Sequence, residues 1–402
     1  MKVMLIDMGS RNNWTGGQSR VVRMLYDGLR KNRMQTYYLG YETMYMKGRA
    51  RDVILKRKGM GLAARKSRVS EIRIARMAYN LVYVSGLRGL GMSREEMLRK
   101  AKRIGPDVII ANAISDFPLL KYLRKGGLSF KAVYIDHGSA STTTKSYFSK
   151  EGIPLSMGTG RPSMSIEGKR REFFSFFDMN VALNDRQYHE ISRRTPRVML
   201  IPNGARIKPY KDASTEKLLR KRLGIRSDNF VVIYVGRLFD RQKNVSALIK
   251  AFLETRNQEF RLLIVGDGPS MQMYRELASE DGRIAFSGIL SDKELNSVYN
   301  MSDLFVLPSF WEGFALTVLE AAAHSLPMII SKGAYVSDLN ADGESPVPSF
   351  NEKDHYELAE LIEKVYSDKD LYDRLGRSSL MISKKFTEKR IILHNKFLNV
   401  SD

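Results

Sequence analysis

No cysteine occurs in the 402 residues, which excludes disulfides, thiolate metal sites and a cysteine nucleophile. No apolar run approaches the ~18–20 residues that a membrane-spanning helix needs. The opening stretch, MKVMLIDMGS, carries one Lys and a short apolar and acidic run. That is the pattern of a first β-strand rather than of a secretory leader. Helix-turn-helix, zinc-finger and RNA-recognition signatures are missing, and so is any repeat of short fixed period. The expectation is a cytoplasmic chain, soluble or peripheral at the inner membrane face.

What is abundant is positive charge, and it is unevenly placed. The net charge is +22. Residues 1–205 hold 38 Lys+Arg against 16 Asp+Glu, whereas residues 206–402 hold 28 of each. An excess confined to one half points to an anionic partner for that half: an anionic membrane surface, a phosphorylated acceptor or, less well supported, nucleic acid. A solvated basic face without a partner is the plainer alternative. Within 47–104 lie KRK at 56–58, RK at 65–66 and a series of spaced arginines, interleaved with Ile72, Ile74, Met77, Tyr79 and Leu81. Part of this segment reads as a basic amphipathic helix, suited to an anionic membrane or to packing on a sheet with a charged outer face.

The length suggests two or three domains, and the pattern is βα twice over. Apolar strands are predicted at 3–7, 36–41, 105–112, within 130–141, at 178–185 and within 197–207. A polar, helical stretch over 206–228 then separates the halves. The pattern restarts with strands at 229–238, 260–265, 283–290, 304–308 and 328–330, alternating with helices such as 243–254, 292–302 and 356–368. The fold class is therefore α/β. Gly16 and Gly17 open the first helix after the first strand, where a phosphate can approach closely. Asp136 and His137 end a strand, which is where open α/β sheets bind ligands.

The most informative stretch is 308–330, PSFWEGFALTVLEAAAHSLPMII. A strand runs into a loop with Glu312 and Gly313, then into a helix carrying Glu320, which Pro327 closes. The amides of Gly313, Phe314, Ala315 and Leu316 at the start of that helix suit a diphosphate. Two carboxylates flanking it suit sugar and ribose hydroxyls. Taken singly, Glu312 also reads as a helix-dipole cap and Glu320 as a solvated helix residue.

These residues resemble the retaining glycosyltransferases of GT-B fold, family 4 or group 1. The resemblance rests on Glu312 and Glu320 in EGFALTVLEA, Arg237 and Lys243 in VGRLFDRQKN, VGDGP at 265–269, FSGIL at 286–290 and IPNG at 201–204. It implies two Rossmann-like domains facing across a cleft: an acceptor-binding domain at 1–205, a donor-binding domain at 206–385, and a C-terminal helix at 386–402 crossing back to the first. It implies hexosyl transfer from a nucleotide-sugar, UDP- or GDP-linked, to a glycan or lipid-linked acceptor, without a cofactor or metal. Arg237 and Lys243 then neutralise the donor diphosphate, Glu312 and Glu320 hold hydroxyls, and Gly266 and Gly268 shape the donor site. Ile289 and Leu290 lie near the base, Gly17 closes the site, and His137 faces the reacting carbon. Transfer to nucleic acid or a soluble acceptor, or donor binding without turnover, are the alternatives. Ala315, Ser325 and Asp338 depart from the family pattern and bear on donor choice. The D-x-D at 368–370 lies far from these elements and is set aside as a metal motif.

Overall fold

The computed structural model describes residues 1–7, 17–31, 33–40, 94–137, 166–205, 207–334, 339 and 347–387. The chain divides into two compact units: Met1–Thr15 with Val22–Tyr134, and Gly16–Val21 with Ile135–Asp402. Among the described residues there are two six-stranded sheets, and every strand pairing assigned within them is parallel.

The first sheet has the order β2-β1-β3-β4-β5-β6. Its strands are β1 (Lys2–Asp7), β2 (Gln35–Gly40), β3 (Val108–Ala111), β4 (Lys131–Ile135), β5 (Met179–Ala182) and β6 (Val198–Leu200). Val3 to Ile6 and Val108 to Ala111 are buried, as continuous apolar strands are when helices cover both faces of a parallel sheet. Helices α1 (Gly17–Lys31), α2 (Arg94–Ile104), α3 (Phe117–Lys125), α4 (Ile166–Phe176) and α5 (Asp185–Ser192) supply the connections.

The second sheet runs β12-β11-β10-β7-β8-β9. It comprises β7 (Phe230–Val235), β8 (Phe260–Val265), β9 (Ile284–Gly288), β10 (Leu304–Leu307), β11 (Met328–Ser331) and β12 (Ser349–Phe350). The chain winds outward from β7 through β8 to β9, then returns to place β10 on the other side of β7. That reversal opens a crevice at the carboxyl ends of β7 and β10. The helices are α6 (Ala213–Leu223), α7 (Asp240–Lys243), α8 (Val245–Glu254), α9 (Met271–Leu277), α10 (Asp292–Asn300), α11 (Leu316–Ala323), α12 (His355–Ser367) and α13 (Lys369–Lys385). Their ends follow side-chain chemistry. Ser291 and Glu294 form a reciprocal cap on α10, and Gly224, at φ 67°, ends α6.

The predicted α/β alternation is present in both halves, with two local differences. The helix expected over 243–254 is two pieces, α7 and α8, because Asn244 adopts a left-handed backbone at φ 51°. Its side-chain amide compensates by donating to the carbonyls of Pro308 at 3.1 Å and Glu352 at 2.7 Å. The polar stretch at 206–228 is helical only over Ala213–Leu223. The basic segment at 47–93 lies outside the described residues, as do 388–402, most of the expected returning helix. The last described helix, α13, packs against α11, with Ser379 Oγ donating to the Leu326 carbonyl at 2.6 Å. Asp368, from the D-x-D, caps α13 by accepting from Leu371 N. Among the described residues no helix is long and apolar enough to cross a membrane.

Candidate active site

At the carboxyl end of β7 the chain turns through Gly236 and Arg237 into the short helix α7. Asp240 holds that turn: its carboxylate accepts from Ser246 N, Ser246 Oγ and the Tyr274 hydroxyl. Burial and the Asp240 charge together raise the Tyr274 phenol pKa, so it stays a donor. The turn delivers Lys243, whose Nζ lies 2.6 Å from Glu312 Oε1. Glu312 comes from the loop after β10, and Ser309 Oγ donates to the same oxygen at 2.6 Å. Ser331 Oγ in turn donates to the Ser309 carbonyl, and Phe310 N donates to the Gln242 carbonyl at 2.8 Å. The two loops are thus laced together, and the Glu312 side chain is 8% exposed.

Arg237 stays exposed, with its guanidinium 5.0 Å from the Phe239 ring centroid. It makes no ion pair among the described residues. The glycines nearby are explained by close backbone approach. A Cβ on Gly266, at φ 129°, would lie 2.0 Å from the Gly236 carbonyl oxygen, and one on Gly268 would lie 2.3 Å from that of Leu238. Gly266 also follows the register shift at Ile264/Val265 between β8 and β9. These two glycines let the β7 and β8 loops touch.

The second carboxylate, Glu320 on α11, is buried at 7% exposure rather than a solvated helix residue. Its Oε2 accepts from the Tyr299 hydroxyl at 2.8 Å, and its Oε1 pairs with Arg20. Arg20, in the α1 segment that clusters with the second unit, also lies 3.4 Å from Asp292 Oδ1. Burial raises the Glu320 pKa, while Arg20 and Tyr299 pull it back down. Behind it His324 stacks on the Tyr299 ring at 5.1 Å. Nδ1 of His324 lies 2.8 Å from the Glu320 carbonyl and Nε2 lies 3.2 Å from Asn296 Oδ1. Asn296 is held in that orientation by exchanging bonds with the Tyr210 backbone. Burial lowers the His324 pKa. A neutral ring donates to one of its two acceptors only.

Between the carboxylates runs the backbone of Gly313 to Leu316. Ala315 precedes α11 in extended conformation, and its side chain caps nothing. The amides of Phe314, Ala315, Leu316 and Thr317 meet no acceptor among the described residues. The carbonyls there are taken: Asn184 Nδ2 donates to Gly313 O, and Asn203 Nδ2 donates to Phe314 O at 3.2 Å.

The other expected residues fall as follows. His137 is half-buried after β4, and burial pushes its pKa down to about 4. Gly17 is the first residue of α1, while Gly16 and Asp338 lie outside the described residues. Ile289 is 71% exposed beyond β9, with Leu290 next to it. The structure thus gathers Arg237, Lys243, Glu312, Gly313, Phe314, Ala315, Leu316 and Glu320 around β7, β10 and α11. Sequence reading passed over Arg20, Asn184, Tyr299, Ser309 and His324, and it met Asn203 only as part of IPNG, a piece of the family resemblance. The Asn after a strand in NVALND was the one available signal, as a helix cap.

Residues 215–379 match the family described as glycosyl transferases group 1. Among curated proteins, the chain is 28% identical over 199 residues to the α-monoglucosyldiacylglycerol synthase of Acholeplasma laidlawii, covering 47% of this chain and 49% of that one. It is 30% identical over 180 residues to the α-D-kanosaminyltransferase of Streptomyces kanamyceticus, covering 42% and 45%. The chain thus spans about half the length of the curated relatives it matches. Among solved structures it resembles Anabaena HepE in complex with UDP and glucose, with TM-score 0.70, 16% identity and 100% of both chains covered. It also resembles sucrose-phosphate synthase of Thermosynechococcus elongatus, with TM-score 0.72, 18% identity and 99% and 98% covered. The sequence match to the group 1 glycosyltransferases thus spans residues 215–379, and the likeness to solved structures shows the GT-B fold.

Proposed function

We propose that this chain is a retaining glycosyltransferase that moves a hexosyl group from a UDP- or GDP-sugar to an acceptor. One observation carries the reading. Arg237 and Lys243, from the turn after β7, and Glu312 and Glu320, from the loop and helix after β10, flank a run of amides that meet no acceptor among the described residues, at the crevice between β7 and β10. In this reading the diphosphate lies on the amides of Phe314 to Leu316, where the helix dipole also favours an anion. Arg237 and Lys243 neutralise the charge that grows on the departing diphosphate, the main source of rate. Lys243 is released in part from Glu312 as it does so. Glu312 then accepts from a sugar hydroxyl and Glu320 from ribose. His137, neutral at pH 7, faces the sugar as a hydrogen-bonding group rather than as a cation. Transfer takes place on one face of the sugar, and a leaving-phosphate oxygen takes the acceptor's proton.

The acceptor we favour is lipid-linked or a membrane-surface glycan. Two things support it: the excess of basic residues over 1–205, and the name of one relative, a synthase of a glucosyldiacylglycerol. The test of the central reading is calorimetric titration of UDP, GDP, dTDP and ADP into wild type and Arg237→Ala. The expected outcome is selective binding of one nucleotide, lost in the variant. Absence of binding by all four at millimolar concentration would remove the donor site from this crevice.

A further inference from the structure

Two asparagines outside the family's charged motifs hold the backbone that the proposed donor site uses. Both are buried: Asn184 is 3% and Asn203 is 4% exposed. Asn184 caps α5, with Oδ1 accepting from Gln187 N at 2.9 Å. Gln187 closes the corner by accepting from Leu183 N at 2.8 Å. Because Oδ1 is committed to the cap, the amide cannot flip, and Nδ2 is left to donate to the Gly313 carbonyl. Asn203, in the IPNG turn, donates to the next carbonyl, that of Phe314. Both contacts lie within the second unit.

The consequence follows from peptide geometry. In a trans peptide the C=O and the N–H point in opposite directions. The Gly313 carbonyl shares its plane with Phe314 N–H, and the Phe314 carbonyl shares its plane with Ala315 N–H. Holding the two carbonyls on one side turns the two N–H groups to the other. Those are the amides that find no acceptor among the described residues. Glycine at 313 leaves its peptide free to rotate, so the orientation has to be imposed from outside.

We propose that Asn184 and Asn203 are positioning residues that aim the Phe314 and Ala315 amides at the donor's diphosphate, without touching the donor themselves. The inference rests on the donor-site reading above. It assigns a diphosphate-specific role to residues that otherwise serve a helix cap and a turn.

The experiment is calorimetry of UDP, UMP, GDP and GMP with wild type, Asn184→Ser, Asn203→Leu and the double variant. Ser retains the α5 cap through Oγ but does not reach Gly313. Leu is close to Asn in size and uncharged, so neither change repels phosphate. Where Asn203→Leu fails to fold, as judged by thermal unfolding, Asn203→Ser takes its place. Wild type is expected to bind the diphosphate at least about tenfold more tightly than the monophosphate. The double variant is expected to retain roughly a threefold preference or less, with monophosphate affinity within about twofold of wild type. A wild-type preference that survives intact in the double variant overturns the proposal and leaves the donor site standing. Parallel loss of monophosphate and diphosphate binding also overturns it, since that marks a structural role only. Failure of wild type to bind any of the four defeats the donor-site reading itself, and this inference with it.

Discussion

Both sheets are parallel with one reversal of strand order, and they differ in what they carry there. In the first, the reversal lies between β1 and β3. The polar groups described there bind backbone: Asn112 Nδ2 donates to the Ile6 carbonyl, and Asp116 accepts from the amides of Asn112 and Ala113. In the second, the reversal lies between β7 and β10, and charged side chains face one another across it, Lys243 against Glu312. Charge is divided in the opposite sense at larger scale. Residues 206–402 carry equal numbers of acids and bases, while residues 1–205 carry the whole excess. Topology provides a crevice twice; side chains decide what chemistry a crevice carries. Bulk charge tells of association at a surface, not of the reacting centre.

The sharpest break of this comparison is at the glycines. Gly266→Ala is expected to destabilise the protein by about 4 kcal/mol or more, because its Cβ would meet a carbonyl oxygen at 2.0 Å in a strained backbone conformation. Gly105→Ala in the first unit also has positive φ but open space around it, and should cost about 1 kcal/mol. Denaturant midpoints at unchanged slope measure both. Equal losses would show that backbone conformation, not close approach, governs the second sheet.

Next in size is catalysis. Lys243→Ala should lower kcat/KM by about 100-fold or more, near 2.7 kcal/mol, as for loss of one charge-stabilising donor. It also leaves Glu312, 8% exposed, with only Ser309 as a described partner. Glu312→Gln in the Lys243→Ala background should therefore recover stability. A thermal midpoint unchanged by the second substitution would refute that coupling.

A smaller effect concerns pH. Burial raises the Glu320 pKa above its ordinary value of 4.5, against the pull of Arg20 and Tyr299. The carboxyl is thus harder to ionise folded than unfolded. Its contribution to stability is full below 4.5 and is lost as pH rises through the folded value. On the role proposed for Glu320, nucleotide affinity should run the other way, weakening as pH falls through that value and the carboxylate is protonated. Glu320→Gln should flatten both profiles; calorimetry and thermal unfolding from pH 4 to 8 test this. A wild-type affinity flat over that range would detach Glu320 from the nucleotide.

The smallest effect per residue belongs to the basic half. Each Lys or Arg near an anionic membrane contributes about 1 kcal/mol at most, and salt screens it. Sedimentation with phosphatidylserine-containing vesicles should show binding at low salt that is lost as salt rises. Neutral vesicles should bind little at any salt. No association at low salt would leave the excess charge as a solvated face.

Much of this was readable in the chain. VMLID, DVIIAN, FVVIYV and LFVL are apolar runs bounded by turn residues, and all became buried parallel strands. Glu312 and Glu320 stood out on the strand–loop–helix stretch at 308–330, and Arg237 and Lys243 through the family resemblance. Arg20 and His324 did not, because their partners are set by folding. Arg20 meets a carboxylate 300 residues away, and His324 meets an amide on another helix. Asn244 reads as an ordinary helix residue, yet two carbonyls from β10 and the β12 loop reward its left-handed turn.

By itself the sequence determined the α/β alternation, the asymmetry of charge and the set of charged groups at the second crevice. Local periodicity and composition are written in neighbouring residues. Only the tertiary structure decided that Glu320 is buried, that Lys243 and Glu312 form a pair, and that Asn184 and Asn203 hold Gly313 and Phe314. Those facts depend on which buried polar groups meet once the core has closed, where each must find a partner among whatever segments arrive beside it.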